Sequence, residues 1–149
     1  MKLEDEIKQK KFKNEFHKLA VNLIFTHGWL LDHQAKFFKK FGITGAQYNI
    51  LRILRGQHPN PASINLLKER MLDKMSDASR LVERLKQKGL VEREVCTEDR
   101  RRVEVVINDK GLNLLKEMDK IEDRFEQIFK GIGNSEAKSL NDLLDRLRG

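Results

Sequence analysis

Between Ser76 and Ile107 the hydrophobic period of the chain changes from that of a helix to that of a strand. Ala78, Leu81, Val82 and Leu85 fall at i, i+3, i+4 and i+7, which places one apolar stripe on a short helix. Past Gly89, Leu90 to Glu94 and Val103 to Ile107 are alternating runs rich in β-branched residues, the pattern of two strands of a hairpin. Their connection, Cys96 to Arg102, is polar and crowds Asp99, Arg100, Arg101 and Arg102 into one turn. Three adjacent cations repel one another, so this tip is either merely solvated or pointed at something anionic.

The segments before the stripe decide what the helix belongs to. Gly42 is expected to end a first helix, and Thr44 to cap a second, short one with Tyr48, Leu51 and Leu54 inward and Gly56 closing it. Pro59 and Pro61 mark a loop. Ser63 is expected to cap a third helix carrying Ile64, Leu67 and Met71, and Ser76 a fourth that ends at Gly89. Two short helices joined closely form a helix-turn-helix. Followed at once by a hairpin with a cationic tip, they make a winged helix, in which the second helix enters the major groove and the wing reaches the backbone or the minor groove.

On the fourth helix Ser76, Ser79, Arg80, Glu83 and Gln87 project away from the stripe, flanked by Asp77 and Arg84. Short hydroxyls and arginines near a helix N-terminus suit phosphates and base edges; a charged, solvated face is the plain alternative. Asp99, an anion beside the expected polyanion, has a physical role as an acceptor that holds a neighbouring arginine in one orientation.

The charge distribution agrees with this placement. Net charge is +7, and residues 41–88 hold nine basic against four acidic side chains, whereas residues 108–149 hold eight against nine. The middle of the chain, and not its end, has an electrostatic reason to approach a polyanion.

Residues 4–40 carry Phe12, Phe16, Leu19, Leu23, Leu30 and Phe37 at helical spacings, with Phe41 just beyond, so one long helix is expected there. Its centre, Ala20 to Leu31, is apolar nearly all round, more than a small domain can cover, which points to a partner subunit. Gly28 within it suggests a kink or a close helix contact.

The succession MSDASRLVERLKQKGLVERE, EDRRRVEV and INDKG resembles the MarR family of bacterial transcription regulators over residues 44–118. The resemblance implies a mainly α fold with a small β-hairpin wing: a winged helix-turn-helix lobe over 42–108, flanked by dimerisation helices over 1–40 and 109–149, in one domain spanning 1–149. It implies a homodimeric, sequence-specific binder of double-stranded DNA, a repressor acting on a pseudo-palindromic operator, with Asp99 and Arg101 in the wing motif and Arg101 as the minor-groove residue. The family often has Leu-Thr before the final Lys-Gly; here Ile107 and Asn108 stand there, and Asn caps a helix as Thr does. Amphipathic segments 109–130 and 135–147 fit the implied dimerisation helices. The expected DNA-binding residues are Ser76, Asp77, Ser79, Arg80, Arg84, Arg100, Arg101 and Arg102, with Asp99 orienting the wing.

A small aromatic or amphipathic effector is a further implication, its pocket to be lined by Trp29, His33, Phe37 and Tyr48; aromatics at helical spacing are otherwise core. Cys96 lies on the wing, whereas the thiol of oxidant-sensing relatives lies in the first helix. His17, His27 and His33 share a helix without i, i+3 or i, i+4 spacing, so no metal pair is expected. No catalytic constellation, cofactor motif, secretory leader or membrane-spanning run is present, and the chain reads as a cytoplasmic non-enzyme. The alternative function is a helical adaptor whose basic face binds an acidic protein.

Overall fold

The computed structural model describes residues 1–149, which fall into two compact units, 1–115 and 116–149. The first unit contains α1 (Leu3–Glu6), α2 (Glu15–Lys39), α3 (Gly45–Gln57), β1 (Ala62–Ser63), α4 (Ile64–Arg70), α5 (Ala78–Gln87), β2 (Val91–Val95) and β3 (Val103–Ile107). It ends within α6 (Asp109–Asp119). The second unit continues with α7 (Glu122–Glu126), a 3-10 turn at Gln127–Phe129 and α8 (Asn134–Arg148).

The long helix expected over 4–40 is broken. After the single turn of α1 the chain is irregular, with Lys8 at φ 53°, and α2 starts only where Asn14 accepts a bond from the His17 amide at 2.8 Å. Lys8 with Lys11, and Lys10 with Lys13, would be like-charge i, i+3 pairs in a continuous helix, which disfavours one there. Gly28 lies inside α2 with nothing within 4 Å of where a Cβ would stand, so it marks no close helix contact within the subunit. The expected segment 109–130 is likewise interrupted, by the break between α6 and α7.

The next elements follow from their caps. Thr44 and Gln47 form a reciprocal capping box at the start of α3 (3.1 Å each way), and Ser63 accepts from the Leu66 amide at 3.1 Å to start α4. Gly56 does not close α3; the helix passes through it to Gln57. Ile50, Leu51 and Leu54 of α3, Leu67 of α4, and Ala78, Val82 and Leu85 of α5 are buried together with Val91 and Val105 of the sheet. Burial of each large side chain in that core contributes about 1.5–3 kcal/mol.

The cap of α5 is Asp77 and not Ser76: the Asp77 carboxylate accepts from the Arg80 amide at 3.2 Å, while the Ser76 hydroxyl donates to Asp73 at 2.6 Å. Aspartate competes well for a cap because its charge also suits the positive end of the helix. At the other end, Gly89 adopts φ 71°, with its amide on the Lys86 carbonyl (2.9 Å) and the Leu90 amide on the Leu85 carbonyl (3.0 Å). This Schellman ending needs the left-handed residue that glycine supplies, and it delivers Leu90 back into the core beside β2.

The sheet is antiparallel in the order β1-β3-β2, with Val91 opposite Ile107 and Val95 opposite Val103. Its third strand, Ala62 opposite Val105 and Ser63 opposite Glu104, has only two residues, too few to show an alternating pattern. Asn108 caps α6 as expected, accepting from the Gly111 amide at 3.0 Å while donating to the Gly89 carbonyl at 2.8 Å. These bonds tie the foot of the wing to the end of α5.

Candidate nucleic-acid interface

The space between α5 and the wing forms a concave groove of about 540 Å³. Ser79 faces it from α5, Asn65 from α4, Arg93 from β2, and Asp99, Arg101 and Arg102 from the hairpin. The fold thus gathers side chains from positions 65 to 102 into one cationic concavity.

The wing tip is an ordered turn. Asp99 accepts the Arg101 amide on its carboxylate (3.0 Å) and the Arg102 amide on its carbonyl (2.9 Å), and the Cys96 amide closes the turn on the Arg102 carbonyl (3.0 Å). The Asp99 carboxylate therefore holds the backbone of Arg101, not a guanidinium, which differs from the expected contact. The effect on Arg101 is still orienting, since fixing the amide fixes the direction in which the side chain leaves. Arg102 lies 3.7 Å from Glu104, while Arg100 and Arg101 carry no ion pair and are exposed.

On α5, Ser79, Arg80 and Arg84 are exposed as expected. Asp77 is spent on its cap and the Ser76 hydroxyl on the Asp73 carboxylate, so both are engaged within the turn at the helix start. Glu83 is engaged by Arg93 at 3.0 Å, an ion pair between α5 and β2 that partly neutralises the one acid on the outward face of the helix. The sequence pattern alone does not single out Arg93. It shares the period-two face of Val91 and Val95, and although exposed it reaches Glu83 on α5.

Lys88 is not a free cation at the end of α5. Its ammonium donates to the Gly42 carbonyl and to Oε1 of the buried Gln47 (2.9 Å), pinning the helix end to the start of α3. Lys88→Ala should therefore lower stability by about 1 kcal/mol, the net value of a typical intramolecular hydrogen bond, and leave base preference alone. Arg80→Ala should do the reverse, leaving the melting temperature unchanged while relaxing preference at one position of each half-site. Thermal melts and competition over single-base variants check both.

The four aromatics expected to line one pocket form two clusters. Trp29 packs against His33 with the rings tilted by 46° and their centroids 4.4 Å apart, and His33 Nδ1 lies 2.9 Å from the Trp29 carbonyl. Phe37 and Tyr48 each pack on the buried Phe38, at 5.4 and 4.6 Å. A small cavity of about 130 Å³ between α1 and α2 is lined by Met1, Leu3, Glu6, Asn22, Phe25, Thr26 and Trp29, so Trp29 alone of the four reaches it. No three His, Cys, Asp or Glu side chains gather as a metal site, Cys96 is half-buried, and no helix is long and apolar enough to cross a membrane.

A sequence model of the MarR family matches residues 41–102, the stretch that contains α3 through the wing tip. The chain is 27% identical over 120 residues to the HTH-type transcriptional repressor IacR of Pseudomonas putida, covering 80% of this chain and 71% of that protein. Its fold is similar to that of a MarR transcription factor from Planctomyces limnophilus, with 28% identity, TM-score 0.69 and 93% and 98% of the two chains covered. It is also similar to Bordetella bronchiseptica BpsR, whose DNA binding is regulated by 6-hydroxynicotinic acid, with 22% identity, TM-score 0.75 and 89% and 99% covered.

Proposed function

We propose that this chain, which belongs to the MarR family of DNA-binding transcription regulators, acts as a homodimeric repressor on a pseudo-palindromic operator. The observation that carries this reading is the groove in which Ser79 of α5 and Arg101 and Arg102 of the wing face the same space. A duplex lying against that surface would receive α5 in its major groove and the wing tip along the adjacent backbone or minor groove. Ser79, Arg80 and Arg84 contact it from the helix, Arg100, Arg101 and Arg102 from the wing, and Asp99 sets the turn. Ser76 and Asp77 act at the start of α5, where the backbone amides also attract phosphate.

The dimer is inferred from apolar surface that a single chain leaves open. On α2, Phe16 is 82% and Ile24 74% exposed, and only Phe38 of its 25 residues is buried. On α8, Leu140, Leu143 and Leu147 form a half-exposed stripe at i, i+3 and i+7. Segments 1–40 and 109–149 serve as the dimerisation parts around a DNA-binding lobe at 42–108. An aromatic or amphipathic effector bound beside Trp29, the one residue of the expected set that lines the cavity between α1 and α2, would release the operator; the regulation of BpsR by a small aromatic acid supports this part of the reading.

Arg101→Ala should weaken operator binding by about 1–3 kcal/mol without altering the dimer, since it removes a groove contact from an exposed tip. Asp99→Ala should also weaken it, although it removes an anion from the neighbourhood of DNA. Anisotropy titrations over a range of salt concentrations test both, and tighter binding by the Asp99 variant would replace orientation by simple repulsion.

A further inference from the structure

Two of the most exposed large apolar side chains in the protein, Leu72 (85%) and Met75 (94%), stand in the turn that leads into α5. That turn is built to hold them out. Met71 is buried beneath it, and the Leu72 amide donates to Asn49 of α3 at 2.9 Å. Asp73 accepts the Met75 amide on one carboxylate oxygen (2.9 Å) and the Ser76 hydroxyl on the other (2.6 Å). The Ser76 hydroxyl is the chief cause that holds the Asp73 carboxyl below the usual carboxylate range. Lys74 folds back onto the carbonyls of Lys68 and Glu69 and leaves Met75 uncovered.

At 94% exposure Met75 packs on nothing in the isolated fold, and its exposure brings no benefit there. It stands two residues before the Asp77 cap, at the end of α5 that carries Ser79 and Arg80, just outside the residues that line the groove. A recognition helix meets base edges with its N-terminal residues. The apolar group that a major groove offers there is the 5-methyl of thymine, and a flexible thioether chain adapts well to such a contact.

We propose that Met75 is a specificity-determining residue that reads a thymine methyl group in each operator half-site. The inference rests on the DNA-binding reading above and adds an apolar contact to the polar ones of α5 and the wing.

The test uses the full-length chain and an operator obtained by selection from unmethylated synthetic duplexes, in which thymine is the sole source of a pyrimidine methyl. Each thymine of a half-site is replaced in turn by uracil, which removes the methyl and leaves the pairing edge intact. At one position, uracil should weaken wild-type binding about fourfold, the effect of losing one buried methyl. Met75→Ala should bind the thymine operator with a comparable loss and show no further loss at that position, whereas Met75→Leu should keep the sensitivity. Equal uracil losses in wild type and Met75→Ala, or no sensitive position, would overturn the assignment. Failure to select any operator would instead count against the DNA-binding reading itself. Because the side chain is exposed, all three proteins should melt alike.

Discussion

Ile24→Asp should abolish dimerisation and operator binding together while leaving the winged-helix lobe folded. Ile24 is 74% exposed in the single chain, so a carboxylate there costs the isolated subunit almost nothing. Buried without a partner charge in a subunit interface, it costs several kcal/mol, and an isologous two-fold contact incurs that cost twice. Sedimentation equilibrium should show a monomer, and circular dichroism should show helix content retained. A variant that remains a dimer would place Ile24 outside the interface and remove the reason for reading the apolar surface of α2 as subunit contact.

Gly111→Ala should destabilise the lobe by about 1–3 kcal/mol, in the range for overpacked sites, even though alanine is the better helix former. A Cβ at Gly111 would stand 2.4 Å from the Leu90 carbonyl oxygen and 2.7 Å from Cγ1 of Ile107. The first of these is backbone at the junction of α5 and β2 and cannot swing aside. Since α6 must approach that junction for Asn108 to bond both Gly111 and Gly89, the wing should loosen with it. Chemical denaturation would measure the loss; unchanged or increased stability would mean that α6 can shift without cost.

The parts of this fold that could be read from the chain are those in which local signals coincide. Gly89 marks the end of α5 because the stripe of Ala78, Val82 and Leu85 stops there and the left-handed ending requires glycine. Thr44 with Gln47, and Ser63, announce their helices through side chains that satisfy orphan amides. Illegible features were those decided by competition or by distant partners. Ser76 and Asp77 are both good caps, and the choice turns on Asp73, which takes the serine hydroxyl. The apolar spacing of residues 4–40 continues through the lysine cluster, but spacing alone does not register like-charge repulsion, and the helix restarts at Asn14.

The candidate site divides in the same way. Arg101 and Asp99 were visible as a crowded turn between two alternating runs, although which atom of Arg101 the carboxylate holds needed coordinates. Arg93 and Lys88 cannot be told from ordinary surface cations in the sequence, because their partners, Glu83 and the Gly42–Gln47 pair, lie 10 to 46 residues away. Nothing in the sequence singles out Met75, because exposure, and not residue type, distinguishes it from a core methionine.

Selection of bound sequences from a pool of random duplexes by the full-length protein, at near-physiological salt, bears most directly on whether this surface reads DNA. Enrichment of a single pseudo-palindrome, with half-sites about 10 base pairs apart or a multiple of that and several kcal/mol preferred over random duplex, is the expected result. Weak binding of all sequences alike, falling steeply with salt and enriching none, would show a merely basic surface and favour an adaptor that meets an acidic protein.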